Sequence, residues 1–335
     1  MAQTQAELLS DIYSQATAAL RADENASVDV VLGAYSRAQT EIIAYIMGLV
    51  DDPEIQLTLP DLVQSGRWYQ LLDVIHQASL NAADKAGVTI HNATVDQFYK
   101  SYDYSAYALD QATPPNIDVA YAPPPENAVR LLANTPYQGR MFSERIGIIT
   151  DEMATGIKDE LLQGLVQGET MQDMADRVSD IIGASDPDNP SGIAARSRTI
   201  ARTEIMRIQN YARDLTFEQN QDVVEDEEWQ VAPDDKLCDW CFRRDGLTDE
   251  EIEKTDPGDD PWGNSTDQPL HPNCRCDSVP RLKSWKDLLG LDMPEDFADD
   301  ERGIRDEDGK WEIAPVQSFA DWKESRQSTS GGDEG

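Results

Sequence analysis

The spacing of apolar residues along the chain predicts helices rather than strands. Apolar side chains recur every three or four positions over residues 4–21 and again over 28–50, a pattern typical of amphipathic helices. A break that contains two prolines follows. The helical pattern resumes near Trp68 and continues through the aromatic-rich stretch 98–107. We therefore predict an N-terminal helical region over residues 1–112.

A proline-rich stretch separates these helices from a second helical region. Five prolines occur over 113–125, and proline opposes a helix because its φ is fixed and it has no N–H to donate. We place a linker over residues 113–128. Beyond the linker, helical spacing over 137–165 and 193–220 predicts two long helices with a shorter one between them. The second helical region is assigned to residues 129–222.

The pattern changes again after this region. Residues 223–282 contain a short predicted strand at Trp229 and Val231, followed by a segment rich in Cys, Gly and Pro. Residues 283–335 combine many acids with few apolar side chains, too few for a core of their own. The sequence therefore predicts a small α+β lobe over 223–282 and an acidic extended tail over 283–335.

Charge and hydropathy narrow the classes of protein that the chain can represent. Its 335 residues hold 64 acids and 28 bases, a formal net charge of −36. Contacts to DNA phosphates need Lys and Arg, so the overall charge disfavours non-specific DNA binding. The longest uncharged apolar run has nine residues, against roughly 20 for a span of the bilayer. With no secretory pattern at the start, we expect an intracellular, non-membrane protein.

The acidity also carries a prediction about the source of the protein. Acidic residues occur in every segment rather than in one tail. At about 1 M salt the Debye length is about 3 Å, so repulsion among such charges is largely screened. We interpret the dispersed acidity as typical of a halophilic host, with an ordinary acidic protein as the alternative.

All four cysteines and one of three histidines form a cluster of candidate metal ligands. Cys238 and Cys241 form a C-x2-C pair, and His271, Cys274 and Cys276 follow after 29 intervening residues. Structural Zn²⁺ takes four S or N ligands, and two cysteines with two residues between them can bind the ion from a single turn. The five candidates exceed this need by one, so either Cys274 or Cys276 is spare or the set is shared differently, and the sequence does not choose. The alternative is disulfides or free thiols, although an intracellular chain keeps its thiols reduced.

A structural Zn²⁺ would stabilise a lobe that has little apolar core of its own. The predicted fold class is therefore mainly α, with a long-helix bundle, a small zinc-stapled α+β lobe and an acidic extended tail.

The predicted helix over 193–220 carries a run of arginines that stands out in an acidic protein. Its members are Arg196, Arg198, Arg202, Arg207 and Arg213. Glu204 is the only acid between the first and the last of them. Guanidinium groups suit carboxylates and phosphates alike. The run predicts a surface for an acidic protein partner or for the DNA backbone, and the alternative is that these arginines pair with acids inside the fold.

Several of these residues together resemble one family. They are Ala201-Arg202-Thr203-Glu204, Asn210, Trp229, Cys238-x2-Cys241, Gly246 and His271-Pro272-Asn273-Cys274-Arg275-Cys276 with Pro280. In this combination the chain resembles the phage Mu F-like minor head protein, or phage head morphogenesis, family over about residues 130–282. The cysteine cluster is the most specific part of the resemblance. With the dispersed acidity, it suggests a tailed virus of a halophilic host.

The resemblance implies a virion minor capsid protein and not an enzyme. It implies association with the portal vertex or the head interior, and a role in head assembly, DNA packaging or genome delivery. The implied partners are the portal protein, the major capsid protein and packaged double-stranded DNA, with the host cytoplasm as the place of assembly. From the residues alone, two other classes stay open: a metal-dependent nucleic-acid enzyme and a host zinc-stapled adaptor. No residue is assigned a catalytic role.

Overall fold

The computed structural model describes most of the chain. The described residues are 3–50, 57–114, 117–184, 186, 191–232, 237–290, 296–297, 301–305, 311–315 and 317–330. They form eleven helices and three antiparallel sheets of two strands each. The predicted mainly α class is therefore confirmed. Among these residues, no helix is both long enough and apolar enough to cross a bilayer.

Seven helices precede the lobe. They are α1 (Gln5–Met47), α2 (Leu59–Gln64), α3 (Arg67–Ala112), α4 (Glu126–Ala133), α5 (Phe142–Gln167), α6 (Met171–Ile182) and α7 (Ile193–Gln219). The sequence predicted separate helices over 4–21 and 28–50, whereas α1 runs through the polar residues between them. That stretch contains no Gly or Pro to stop a helix. Its polar Glu24 is buried because it pairs with Arg202, a partner that local periodicity cannot reveal.

The start and end of α6 follow local sequence signals. The Thr170 hydroxyl accepts from the Asp173 backbone N–H (3.1 Å), and the Asp173 carboxylate accepts from the Thr170 N–H (3.0 Å). This reciprocal capping box satisfies N–H groups that the first turn leaves unpaired. Gly183 ends the helix at φ 64°, where a side chain would be strained.

The sheets and the remaining helices lie mostly in the C-terminal third. The sheets pair β1 (Gln3–Thr4) with β4 (Asp296–Phe297), β2 (Val224–Gln230) with β3 (Asp277–Leu282), and β5 (Glu301–Arg305) with β6 (Trp311–Pro315). The helices are α8 (Asp239–Phe242), α9 (Asp249–Lys254), α10 (Trp285–Leu289) and α11 (Phe319–Ser330). The strand predicted around Trp229 is confirmed within β2, and Val231 follows its last residue. Together β2, α8, α9 and β3 form the predicted α+β lobe.

The chain folds as two units, each made of segments that are distant in the sequence. The lobe-bearing unit comprises Met1–Asp23, Val95–Val129 and Met206–Gly335, and the helical unit comprises Glu24–Thr94 and Arg130–Ile205. Helices α1, α3 and α7 therefore each contribute a segment to both units. The boundaries proposed above at residues 112, 128, 222 and 282 stay predictions.

The helical unit has one extensive apolar core. Buried side chains come from α1, α3, α5, α6 and the first part of α7, as expected for amphipathic helices that turn their apolar stripes inward. Tyr35, Ile42, Ile75, Met153 and Val178 are representative members. The helix spacing that predicted these elements is the same spacing that builds this core.

The acidic tail is not extended at its end. There α11 lies against the C-terminal half of α3, and Trp322 is only 1% exposed. Its indole Nε1 donates to Asp110 (3.1 Å), and Lys323 pairs with Asp103 (2.6 Å). Phe319 stacks on Tyr104 with ring centroids 4.0 Å apart. The few apolar residues of the tail cannot make a separate core. Instead, Phe319 and Trp322 pack against aromatic side chains of α3.

We expect Trp322→Ala to detach α11 from α3. Truncation of a buried Trp to Ala costs about 3–5 kcal/mol, and the change also removes the hydrogen bond to Asp110. Limited proteolysis followed by mass spectrometry should show faster cleavage within 317–330 while the rest of the chain stays resistant. Tyr69→Ala, an exposed aromatic on α3, is the matched control. Equal cleavage of both variants would show that Trp322 does not hold α11.

Candidate metal centre and the arginine helix

The C-x2-C pair lies on the turn that begins α8. Cys238 is the N-cap of this helix, and its Sγ accepts a hydrogen bond from the Cys241 backbone N–H (3.4 Å). Residues three positions apart on a helical turn face the same side. Cys241 is buried and Cys238 is half-buried, so the pair presents two sulfur atoms on the inner side of the lobe.

The other three candidates lie on the segment that leads into β3. The Cys274 N–H donates to the His271 carbonyl (3.0 Å), which closes a tight turn. Asn273 adopts the left-handed region at φ 63°, a conformation that Asn tolerates better than most residues. Cys274 and Cys276 are buried, and His271 is half-buried. The turn therefore brings its ligating atoms to the same side as the α8 pair.

The five predicted residues come together at distances that suit a metal ion. The Sγ atoms of Cys238 and Cys241 lie 3.2 and 3.4 Å from His271 Nε2. The Cys241 and Cys274 Sγ atoms are 3.7 Å apart. A tetrahedral ion with bonds of about 2.0–2.3 Å separates its ligands by about 3.3–3.8 Å.

Two overlapping groups, Cys238/Cys241/His271 and Cys241/Cys274/Cys276, can thus hold a metal ion, because the ligand atoms within each lie within 4.8 Å of one another. Cys241 belongs to both groups.

His271 is oriented as a ligand. Its Nδ1 lies 2.9 Å from the Pro272 carbonyl oxygen. A carbonyl only accepts, so Nδ1 carries the proton and Nε2 presents its lone pair. Nε2 is the atom that faces the sulfurs of Cys238 and Cys241. A backbone carbonyl that fixes the tautomer in this way is a common partner of metal-binding histidines.

The buried thiols share their protons unequally. Hydrogen bonds from Cys241 and Cys276 lower the pKa of Cys274, because they stabilise its thiolate. The hydrogen bond with Cys274 raises the pKa of Cys241. Metal ligands must be thiolates, so a bound ion would have to displace the protons that remain on the cluster.

The arginines of α7 are largely engaged within the fold. Arg213 pairs with Asp277 (2.5 Å), and the two side chains are only 2% and 6% exposed. Arg202 pairs with Glu24 (3.1 Å), and Arg196 pairs with Glu152. Arg213 is therefore an interior residue and not part of a docking surface. For Arg196, Arg198, Arg202 and Arg207, which are half-buried, a role in binding a partner or DNA stays a prediction.

Each side chain of the motif Arg202-Thr203-Glu204 on α7 contacts another residue of the helical unit. Besides the Arg202 ion pair, the Thr203 hydroxyl donates to the Thr199 carbonyl (2.7 Å). Glu204 is fully buried and pairs with Arg145 of α5. This motif therefore stabilises the packing of α7 in the helical unit.

Two contacts tie the second half of α7 to the metal-ligand turn. Asn210 Nδ2 donates to the Cys276 carbonyl (3.1 Å), and Arg213 pairs with the adjacent Asp277. In the sequence, Asn210 stands out only through the family resemblance, and Asp277 has no predicted role. Its position directly after the last cysteine was the available signal. These contacts join the second half of α7, from Met206 onward, and the cysteine cluster into one structural element of the lobe-bearing unit.

An acidic cleft of about 580 Å³ lies beside this element. Its acidic lining residues are Asp214, Glu218, Glu225, Asp226, Glu227 and Asp249. Desolvation, together with repulsion from Asp214 and Asp249, raises the pKa of Glu227 to about 8. Desolvation raises the pKa of Asp214 to about 7, against the attraction of Arg213.

We expect the cleft to make stability fall as pH rises from 6 to 8.5. Unfolded carboxyls titrate near about 4, so in this window the folded state binds protons that the unfolded state has lost, and the stabilisation disappears as pH passes the folded pKa values. The melting temperature should be higher at pH 6, and Asp214→Asn with Glu227→Gln should flatten the dependence. Glu250→Gln, an exposed acid, is the control. A double variant that keeps the wild-type slope would exclude the cleft as its source.

The comparisons with known proteins confirm the family resemblance over part of the chain. Residues 155–279 match the model of the family described as Phage Mu protein F like protein. The match extends from within α5 through α6, α7 and the ligand turn into β3. No curated protein and no solved structure matches the chain.

Residues 155–279, which run from α5 to β3, are thus similar to a family of phage head morphogenesis proteins. The matching family, described as Phage Mu protein F like protein, is one of structural phage head proteins and is not a known enzyme family.

Proposed function

We propose that the chain is a minor capsid protein of a tailed virus, associated with the portal vertex. In this role it acts in head assembly, DNA packaging or genome delivery. The family match over residues 155–279 is the observation that carries the proposal. The second half of α7 supports it, since Asn210 and Arg213 fix this segment to the ligand turn and together they give an ordered element for assembly. We place the protein in the virion, and in the host cytoplasm while heads assemble.

The proposed metal is a structural Zn²⁺. The candidate donors are sulfur and imidazole nitrogen, which suit zinc, and four of them would fill a closed tetrahedron. The apolar cluster of the lobe is built partly from the cysteines themselves, with Trp229, Ile252 and Leu270 among its other members. When bound, the ion would supply folding free energy that this small cluster does not supply alone.

The proposed partners are the portal protein first, then the major capsid protein and packaged DNA. The net charge of −36 opposes spontaneous binding to DNA. A protein of this charge would stay off the genome until assembly places it. We therefore propose protein contacts, rather than DNA contacts, as the route by which the chain enters the head.

Co-elution with the portal protein of the same virus tests the proposed partner. Purified full-length chain and portal protein should form a complex on size-exclusion chromatography with a fixed stoichiometry by light scattering. The unassembled major capsid protein, tested alone, shows whether the capsid is a second partner. If the chain elutes apart from the portal protein at micromolar concentrations, the proposed portal association is wrong.

A further inference from the structure

A buried ion pair beside the metal centre has no part in the family resemblance. We propose that Arg244 is a positioning residue for the metal ligand His271, acting through Asp260 and Trp262. This inference rests on the proposed metal centre. All the residues that it involves lie within the lobe, between β2 and β3.

Arg244 is almost completely enclosed and fully engaged. Its side chain is 4% exposed, and that of its partner Asp260 is 5% exposed. Nη1 donates to Asp260 Oδ2 (2.7 Å), Nη2 to the Gly263 carbonyl (2.7 Å) and Nε to the Ser265 carbonyl (3.2 Å). These bonds fix the loop 260–265 from inside, because the planar guanidinium presents its donors in one rigid arrangement.

The same guanidinium also contacts α8, the helix that carries the ligands Cys238 and Cys241. Arg244 Nη1 donates to the carbonyl of Trp240 (2.8 Å), a residue between the two cysteines of α8. Arg244 therefore joins the helix that carries Cys238 and Cys241 to the loop 260–265. A shift of the Arg244 side chain would therefore move α8 relative to the loop 260–265.

The loop reaches His271 through Trp262. The second oxygen of Asp260, Oδ1, accepts from the Trp262 backbone N–H (2.9 Å). The Trp262 ring lies against the His271 imidazole, with centroids 5.4 Å apart and planes inclined by 45°. Pro272 fixes the tautomer of His271, as described above, whereas Trp262 limits the rotation of its ring. The contacts therefore run from Arg244 through Asp260 and Trp262 to the imidazole ring of His271.

The chain offers a matched control beside this network. Arg243 and Asp259 precede Arg244 and Asp260 by one residue and also form a pair, at 3.4 Å. Their side chains are 53% and 82% exposed, and Arg243 lies over the Trp240 ring, 4.6 Å from its centroid, rather than binding the loop 260–265 from inside. The same substitution in the two pairs thus separates the positioning role from a general effect of charge.

Release of Zn²⁺ to an excess of a colorimetric chelator, from the full-length zinc-loaded chain, tests the proposal. We expect Arg244→Gln and Trp262→Ala to release the ion at least about ten-fold faster, in the range typical of changes behind a metal ligand. Arg243→Gln should stay within about two-fold of wild type, and Trp262→Phe should restore slow release because it keeps an aromatic ring against His271.

A second readout covers the case in which Arg244→Gln fails to fold. In the Co²⁺-loaded chain, Trp262→Ala should shift the visible ligand-field absorption at saturating metal, since the imidazole is no longer held in one orientation. Wild-type release rates and spectra in both Arg244→Gln and Trp262→Ala would overturn the positioning role. If the wild-type chain itself binds neither Zn²⁺ nor Co²⁺, the metal centre and this inference both fail, whereas the proposed place in the virion is unaffected.

Discussion

Loss of the metal is expected to unfold the lobe between β2 and β3 while the helical unit stays folded. Among the described residues, the cluster that fills the lobe has six buried members, three of which are Cys241, Cys274 and Cys276 themselves. Its remaining apolar side chains therefore form too small a core to hold the lobe without the ion. Binding of structural Zn²⁺ to small domains contributes on the order of 10 kcal/mol. Cys241→Ser should have the largest effect of any single ligand change, because Cys241 belongs to both ligand groups.

Hydrogen exchange followed by mass spectrometry measures this effect region by region. In Cys241→Ser, and in the wild-type chain with a chelator, protection should be lost over 224–230 and 277–282 and kept over 142–182. Phe242→Ala changes the exposed neighbour of Cys241 and should leave all protection as in wild type. A Cys241→Ser variant with a fully protected lobe would show that the metal does not hold it.

Asp277→Ala is expected to cost about 3–5 kcal/mol of unfolding free energy, because it leaves Arg213 buried without its partner. Arg213 also lies over the Tyr13 ring, 5.6 Å from its centroid, and has no path to solvent that would relieve the charge. Replacing both members, as Arg213→Met with Asp277→Leu, should recover much of the loss, since well-packed apolar pairs substitute for buried ion pairs.

Urea denaturation of the full-length chain measures both effects. The control is Glu228→Ala, which breaks the ion pair with Arg281 at partly exposed side chains. Exposed pairs contribute about 0–1 kcal/mol, so this change should be several-fold less costly than Asp277→Ala. Similar costs for the two changes would contradict the buried character of the Arg213 pair.

The helices were largely predictable because periodicity and capping are local signals. The apolar spacing over 137–165 anticipated α5, and Thr170 with Asp173 marked the start of α6. Errors occurred where distant residues decide the outcome. Glu24 appears as a polar break until Arg202 is placed beside it, and Trp322 appears unsupported until α3 is in place. Each of these contacts joins segments of one unit that are far apart in the sequence.

In the candidate site, too, the residues placed by local sequence patterns were predictable and those placed by distant contacts were not. The C-x2-C spacing and the compact His271 turn were visible because ligands of one ion come from short turns. Arg244 gave no such signal, since it stands beside the exposed Arg243 and its partner Asp260 lies 16 residues later. The burial of Arg213 depends on its ion pair with Asp277, which lies 64 residues later in the chain. The halophilic source stays a prediction from composition alone.

Quantitative mass spectrometry of purified particles, with portal peptides as the internal copy standard, tests the central claim most directly. A minor head protein should be present at a low and fixed ratio to the portal protein in every preparation. The peptides should include those of the region matched over 155–279. Absence of the chain from particles that contain the portal protein would contradict its place in the virion.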